Sequence, residues 1–300
     1  MRRPATLLIG VAGIAACLAI LPMGGVQAID LGSLFSTVKK AMGEATPEQE
    51  EAIGADASAV ILGGAKPLAD PAIQDYVNKV GMWVASQSER AALPWHFAVL
   101  DTDAVDAFAA PGGYVFVTSG LLLRLHNEAE LAGVLGHEIS HVVMRHHLRA
   151  LQKAARLDLG KQAADVAMEL RGQNSKLFDT VTGASKDLYS RGLDKDDEYE
   201  ADRRGVVLAA RAGYDPYALL SVLETLDSFD PDSNAVQLLL ATHPTPSDRI
   251  QTLYAAMAGK MDAYGHQAEG QDRYAAMMHE LIADQSTITA APSPVTGPGL

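Results

Sequence analysis

Apolar residues recur at every third or fourth position over much of this chain, and that spacing predicts amphipathic helices. A clear example covers residues 71–86. A longer helix is predicted to begin after Asn127, whose spacing to Glu130 is that of a capping box, and to carry apolar residues as far as Val143. Further helices are predicted over residues 47–62, 196–213, 216–226 and 247–257.

Shorter segments have the alternating pattern of strands. Residues 95–100 alternate large apolar and other side chains, while 107–110 and 114–118 flank the tight turn Pro111-Gly112-Gly113. Residues 150–190 are rich in Ala, Lys and Gln and only weakly amphipathic, and residues 285–300 are Ser, Thr, Pro, Ala and Gly, typical of a disordered tail. The pattern therefore predicts one mainly helical α+β domain over residues 29–284, with a small sheet.

The first 28 residues have the composition of a secretory signal peptide. Arg2 and Arg3 precede an apolar run over residues 5–21, and Val26-Gln27-Ala28 provides a cleavage site. Two alternatives remain open: an uncleaved membrane anchor, and a lipoprotein-type site at Ile14-Ala15-Ala16-Cys17 that would place a lipid on Cys17. Each of the three predicts export to the bacterial periplasm, with possible membrane association through the N-terminus.

Composition narrows the functional classes. Acidic residues outnumber basic ones by 37 to 24, which argues against nucleic-acid binding. Hydrophobic residues make up 48% of the chain, which excludes a disordered protein. Cys17 is the single cysteine, so no intramolecular disulfide can form. The remaining unusual feature is histidine, because four of the nine fall between His137 and His147.

The sequence His137-Glu138-Ile139-Ser140-His141 is an H-E-x-x-H motif within the predicted helix. Residues four apart lie on one helix face, about 6 Å apart along the axis, so both imidazoles can reach one Zn²⁺. Glu138 lies beside them, where its carboxylate can take a proton from a metal-bound water. The alternative is a surface helix that happens to carry two histidines, and the apolar neighbours of the motif argue against it.

A catalytic zinc site needs a third protein ligand. His147 has a suitable spacing, but Met144 stands where a glycine would turn the chain, so the helix is predicted to continue through Met144, Arg145 and His146. The distal candidate is Glu198 on a second helix, with Asp202 one turn later accepting a hydrogen bond from a ligand histidine. An acidic helix start with no metal role is the other interpretation of these carboxylates. His146 and His147 are predicted to support the ligands or to face solvent.

The residues Leu131 to Val142, together with Glu198-x-x-Ala201-Asp202, resemble the HtpX-like, Oma-type and CaaX-protease-like zinc peptidases (peptidase family M48), in particular their exported bacterial branch. Supporting matches are Ala107 to Gly113, Gly120-Leu121-Leu122, Ala212 to Pro216 and Thr242-His243-Pro244. The resemblance implies a zincin-like (gluzincin) catalytic domain whose small sheet lies beside the active-site helix.

The resemblance also implies roles for individual residues. His137, His141 and Glu198 would bind one Zn²⁺ per chain, with Glu138 as the general base. His243 would lie near the metal, either stabilising the reaction intermediate or capping the zinc, and Arg249 would anchor the same loop. The strand beginning Gly113, Tyr114, Val115, Phe116 would be a sheet edge on which a peptide substrate pairs.

Two departures from the family pattern stand out. Asp106 occupies a position where relatives often have Asn, and Ser190-Arg191 is separated from Glu198 by a longer spacer than usual. The resemblance predicts a zinc endopeptidase acting on unfolded or misassembled envelope polypeptides in protein quality control. The alternative is a non-catalytic or latent chaperone-like assembly factor whose zinc site is capped by His243.

Overall fold

The computed structural model describes residues 45–150, residue 153 and residues 192–289. The predicted signal peptide, Cys17, nearly all of the segment 150–190 and most of the predicted tail lie outside these residues. Within the described part, none of the helices combines the length and the hydrophobicity needed to cross a bilayer.

Two capped helices precede the sheet. Helix α1 spans Pro47–Gly64 and α2 spans Pro71–Ala85. The Thr46 side chain accepts a hydrogen bond from a backbone amide in the first turn of α1, and the Asp70 side chain does so in α2. Proline follows each cap, where its missing N–H costs no hydrogen bond. Local sequence therefore sets where both helices begin.

Three short strands form the sheet, namely β1 (His96–Leu100), β2 (Ala107–Ala110) and β3 (Tyr114–Thr118). Strand β3 pairs with β1 in parallel and with β2 antiparallel. A 3₁₀ turn, Pro111–Gly113, joins β2 to β3, and Gly112 and Gly113 have φ values of 80° and 106°, which favour glycine. The predicted strands and turn are confirmed.

The strand order corrects the predicted substrate edge. Strand β3 is central, because β1 and β2 occupy its two sides. Its backbone pairs with a strand on each side. The predicted substrate strand, which contains Tyr114, Val115 and Phe116 and follows Gly113, is therefore not an edge to which a peptide can add. Sequence alternation predicts that a strand exists but carries no information about which strands flank it.

The long central helix α4 spans Glu128–Val143 and follows a short helix α3, Ser119–Leu122. The Asn127 side chain accepts the amide of Glu130, as predicted. The Glu130 carboxylate, however, accepts the amide of His126, so only half of the predicted capping box forms. The helix also ends earlier than predicted: Arg145 has φ 57°, and the chain turns there.

The C-terminal half is helical and covers α4. Helix α5 ends two residues before Gly213, whose φ of 90° suits a helix terminus. The last helix continues through residues 285–289, where the tail was predicted to begin, and residues 290–300 are outside the described part. The helices are α5 (Lys195–Arg211), α6 (Ala218–Asp227), α7 (Gln237–Thr242), α8 (Pro246–Met257) and α9 (Gln271–Thr289).

The core lies between α4, the sheet and the surrounding helices, where Leu131, Leu135 and Ile139 of α4 are fully buried. The backbones of helices α4 and α5 are in close contact at two glycines, Gly136 and Gly205. A Cβ atom on Gly136 would lie 2.8 Å from the carbonyl oxygen of Gly205, closer than any side chain tolerates. This crossing brings the histidines of α4 next to the acidic first turn of α5.

Candidate metal centre

Three buried side chains from two helices converge on one point. His137 and His141 of α4 lie one turn apart, and their Nε2 atoms are 3.0 Å from each other. Glu198 of α5 faces both, with carboxylate oxygens 3.6 Å from Nε2 of His137 and 3.7 Å from Nε2 of His141. The structure thus assembles the three residues predicted as ligands, with the third donor supplied by Glu198.

Asp202 and Arg249 support this cluster from behind. Asp202, one helical turn after Glu198, has its Oδ1 2.9 Å from Nδ1 of His137 and accepts a hydrogen bond from it. Arg249 of α8 donates to both Asp202 oxygens, at 2.6 and 3.0 Å. Burial alone would raise the pKa of Asp202, but the charges of Arg249 and His137 hold it at about 2. The ionised carboxylate therefore fixes the His137 ring.

The donor set fits zinc. Because Asp202 holds a proton on Nδ1 of His137, the Nε2 atom of that ring can present its lone pair to a metal. Among the described residues, Glu198 Oε1 is buried without a hydrogen-bond partner. Two nitrogens bound to one tetrahedral zinc at about 2.0–2.1 Å are about 3.3 Å apart, close to the separation found here. Two histidines and a carboxylate are the ligands of a catalytic zinc site.

The local electrostatics favour a cation. Burial and the positive charge of Arg249 lower the pKa of His137, but Asp202 and Glu198 outweigh them and raise it to about 9. Burial lowers the pKa of His141 well below its ordinary value, which keeps this ring in the neutral form that binds metals. The pKa of Glu198 is held low against its burial, chiefly by His243 and His141.

Glu138 lies beside the ligand cluster and is buried. Burial raises the pKa of its carboxyl group above the ordinary value, although His137 and His243 partly offset the effect. A carboxylate that binds a proton more readily is suited to general-base chemistry. Glu138 borders two small cavities of about 30 and 20 Å³, the first lined mainly by Leu and Val side chains.

His243 comes from the end of α7 and reaches the same cluster. Its Nδ1 lies 2.6 Å from Glu198 Oε2, and its Nε2 lies 3.8 Å from Asp106 Oδ1. Burial would lower the pKa of His243, but the Glu198 and Asp106 carboxylates raise it. His243 is thus within reach of the ligand set, as the family resemblance implies.

Asp106, noted in the sequence only as a departure, is a fully buried member of the site. Burial raises the pKa of its carboxyl group to about 7, with His243 acting in the opposite direction. Its Oδ1 accepts the amide of Ala107, whereas Oδ2 has no hydrogen-bond partner among the described residues. Asp106 directly precedes a short strand, and the sequence contains no signal that its side chain is buried in the site.

The turn at Arg145 separates His146 and His147 from α4. His146 is fully buried, and its Nδ1 lies 2.9 Å from Nδ1 of His141. His147 borders the 20 Å³ cavity beside Glu198, but it is not one of the three residues whose donor atoms converge. The prediction that the helix continues through Met144 to His146 is wrong, because Arg145 adopts the left-handed conformation that a glycine would have provided.

Comparison with known proteins agrees with this geometry. The chain is 36% identical over 197 residues to a beta-barrel assembly-enhancing protease from Escherichia coli, covering 63% of this chain and 40% of that protein. It is 29% identical over 178 residues to the mitochondrial metalloendopeptidase OMA1 of Schizosaccharomyces pombe (59% and 51%), and 32% identical over 160 residues to the metalloprotease YcaL of Escherichia coli (53% and 60%).

The chain therefore spans less than two thirds of the length of these relatives. The family model matches residues 71–257, which is more than half of this chain, and that range includes both metal-site helices, the sheet and α8. The chain belongs to peptidase family M48.

Proposed function

We propose that this protein is a zinc-dependent endopeptidase of the gluzincin type. The observation that carries the proposal is the convergence of His137, His141 and Glu198 on one point, with the buried carboxylate of Glu138 beside them. A purely structural zinc site would have no use for an additional buried carboxylate with a raised pKa.

The residues divide the chemistry between them. Zinc, when bound, supplies a Lewis acid that polarises the peptide carbonyl and acidifies water. Glu138 would be the general base that takes a proton from the attacking water and the general acid that returns it to the leaving amine. Asp202 and Arg249 hold His137 in the tautomer that binds the metal. His243 donates a hydrogen bond to the developing negative oxygen, since the neighbouring Glu198 and Asp106 favour its protonated form.

Peptide substrates align along β2, at the end of the sheet, instead of along the central β3. The support for this assignment is that Ala107, Phe108 and Ala109 border the same cavity as Glu138 and His243. Strand addition supplies affinity through backbone hydrogen bonds and requires no particular substrate sequence, which suits unfolded polypeptides. Methylation of a backbone amide nitrogen in a peptide substrate should raise KM more than it lowers kcat, whereas equal effects would contradict this alignment.

The site of action is the bacterial periplasm, and the substrates are unfolded or misassembled envelope proteins. The support is the signal-like segment 1–28 and the similarity to a protease named for enhancing β-barrel assembly. Mass spectrometry of the mature N-terminus tests the export route: a chain starting at residue 29 indicates signal cleavage, a lipid on Cys17 indicates membrane attachment, and an intact residue 1 contradicts both.

The decisive experiment removes the base without removing the metal. Glu138→Gln should keep about one zinc per chain and lose at least about 100-fold in cleavage of an unfolded substrate such as casein. Glu198→Ala should lose the zinc, and Glu51→Gln, an exposed change on α1, should resemble the parent protein. Full cleavage by Glu138→Gln would contradict the mechanism.

A second function, a latent or chaperone-like factor whose zinc is capped by His243, is favoured by one observation. His243 Nδ1 lies 2.6 Å from a ligand oxygen of Glu198, close enough to compete for a metal position. Replacing His243 with Ala separates the two functions. Increased cleavage indicates a latent enzyme that His243 shuts, whereas a loss of cleavage with zinc retained indicates that His243 serves the reaction.

A further inference from the structure

We propose that His146 is a positioning residue that fixes the tautomer and orientation of the ligand His141, an inference that rests on the proposed zinc site. His146 follows Arg145, whose φ of 57° reverses the chain after α4 and returns the next side chain toward that helix. The ring of His146 is fully buried, and its Nδ1 lies 2.9 Å from Nδ1 of His141. His141 is thus contacted on one nitrogen by a histidine and aimed with the other at the ligand cluster.

The direction of this hydrogen bond follows from the chemistry of the rings. Nε2 of His141 faces His137 and Glu198, so a metal bound there requires the lone pair of that nitrogen. A neutral imidazole with a free lone pair on Nε2 carries its proton on Nδ1. His141 therefore donates from Nδ1, and His146 accepts on its own Nδ1.

The same reasoning places a proton on Nε2 of His146. This atom lies 3.6 Å from Asp197 Oδ1 and 3.6 Å from Glu200 Oε2, on the residues that flank Glu198 in α5. Arg149 holds the Asp197 carboxylate at 2.8 Å. Two negative groups thus face the N–H of His146 and stabilise the tautomer in which its Nδ1 is the acceptor. Asp197 and Glu200, which lie on either side of the ligand Glu198 in α5, thus orient the ligand His141 through His146.

A second cation is the rival interpretation, because His146, Asp197 and Glu200 also bring three donor atoms together, and Nε2 of His146 is buried without a hydrogen-bond partner among the described residues. The tautomers argue against it. A lone pair on Nε2 of His146 would put its proton on Nδ1, and His141 would then have to accept at Nδ1. His141 would carry its proton on Nε2, where the zinc site needs the lone pair.

The expected consequence is on metal affinity. Partners that fix the orientation and basicity of a metal-binding histidine typically contribute about 10- to 100-fold. His146→Leu removes the acceptor and puts an apolar side chain of similar bulk in place of the imidazole ring. His146→Asn retains an oxygen near the position of Nδ1 and so preserves the acceptor. We expect zinc to bind about 10- to 100-fold more weakly to the Leu variant, and within a few-fold of the parent to the Asn variant.

The experiment measures zinc affinity by competition with a chelator on the full chain, for the parent, both His146 variants and His279→Leu, an exposed change on α9. Replacement of zinc by Co²⁺ adds a visible spectrum that reports ligand geometry, and only the Leu variant should shift it. The spectrum reports the metal's surroundings and not the stability of the fold. A purely structural defect would lower the unfolding temperature of both variants equally and would not produce a spectral difference between the Leu and the Asn variant. The Asn variant also keeps the proposal testable if the Leu variant does not fold.

Three results would overturn the inference. These are parent-like zinc binding by His146→Leu, equally weak binding by the Leu and Asn variants, and two zinc ions in the parent with one in His146→Leu. The last result would establish the second cation instead. Failure of the proposed zinc site itself is distinguishable, because the parent would then bind no zinc and Glu198→Ala would change nothing.

Discussion

The contact between Gly205 and the backbone of α4 is predicted to set the geometry of the metal site. A Cβ atom at Gly205 would lie 2.7 Å from the amide nitrogen of His137, whereas ordinary contacts begin at 3.4 Å. Gly205→Ala must therefore separate α4 and α5 by about 0.7 Å at this point, because the obstructing atoms are backbone and cannot rotate away. Glu198 lies two turns earlier on the same face of α5, so the separation carries it away from the histidines.

The change in stability of Gly205→Ala is the sum of a favourable helix-propensity contribution and an unfavourable overpacking contribution. Alanine is favoured over glycine in a helix by about 1 kcal/mol, while overpacking a rigid contact costs about 1–3 kcal/mol. Since the clash is with backbone, we expect the upper end of that cost and a net loss of about 2 kcal/mol in the free energy of unfolding. Metal sites tolerate ligand displacements of about 0.2 Å, so zinc affinity should fall at least about tenfold.

Urea unfolding of the metal-free chain and zinc competition with a chelator measure the two quantities separately. Gly63→Ala provides the matched control, because Gly63 is an exposed residue of α1 and an added Cβ atom meets nothing within 4 Å. It should gain about 0.5–1 kcal/mol in stability and leave zinc affinity unchanged. If Gly205→Ala also gains stability and binds zinc like the parent, the close crossing does not position the site.

Three further changes test other contacts. Asp106→Asn should stabilise the chain more at pH 8 than at pH 5, by up to about 3 kcal/mol, because burial raises the pKa of Asp106 from 3.8 to about 7, so that stability is lost as pH rises and about two pH units of that loss fall between pH 5 and pH 7; equal urea midpoint shifts at both pH values would contradict this. Tyr214→Phe removes a 2.9 Å hydrogen bond to the buried Glu128 and should cost about 1 kcal/mol in urea unfolding, while no loss would mean that Tyr76 and Arg273 satisfy Glu128 alone. Leu135→Ala should cost about 3–5 kcal/mol by the same assay, and less than about 1 kcal/mol would contradict its place in the core.

Short-range patterns were sufficient for much of the fold. The boundaries of α1, α2 and α8 and the β2–β3 hairpin agree with the prediction to within two residues, because caps, prolines and glycines act on neighbouring backbone groups. Helices α3, α7 and α9 were not predicted. The first two have only four and six residues, too few for a periodic signal. Helix α9 has Tyr274, Met278 and Leu281 at helical spacing, all buried in the core, and this is the signal that could have found it.

The sequence by itself determined the chemistry that is available, because the H-E-x-x-H spacing depends only on helix geometry and places two imidazoles on one face. The tertiary structure decided which distant groups meet them. It placed Glu198 opposite the histidines through the glycine crossing, put β3 in the centre of the sheet, and returned His146 to His141 through the turn at Arg145. These contacts depend on how whole elements pack, and residue spacing along the chain carries no such information.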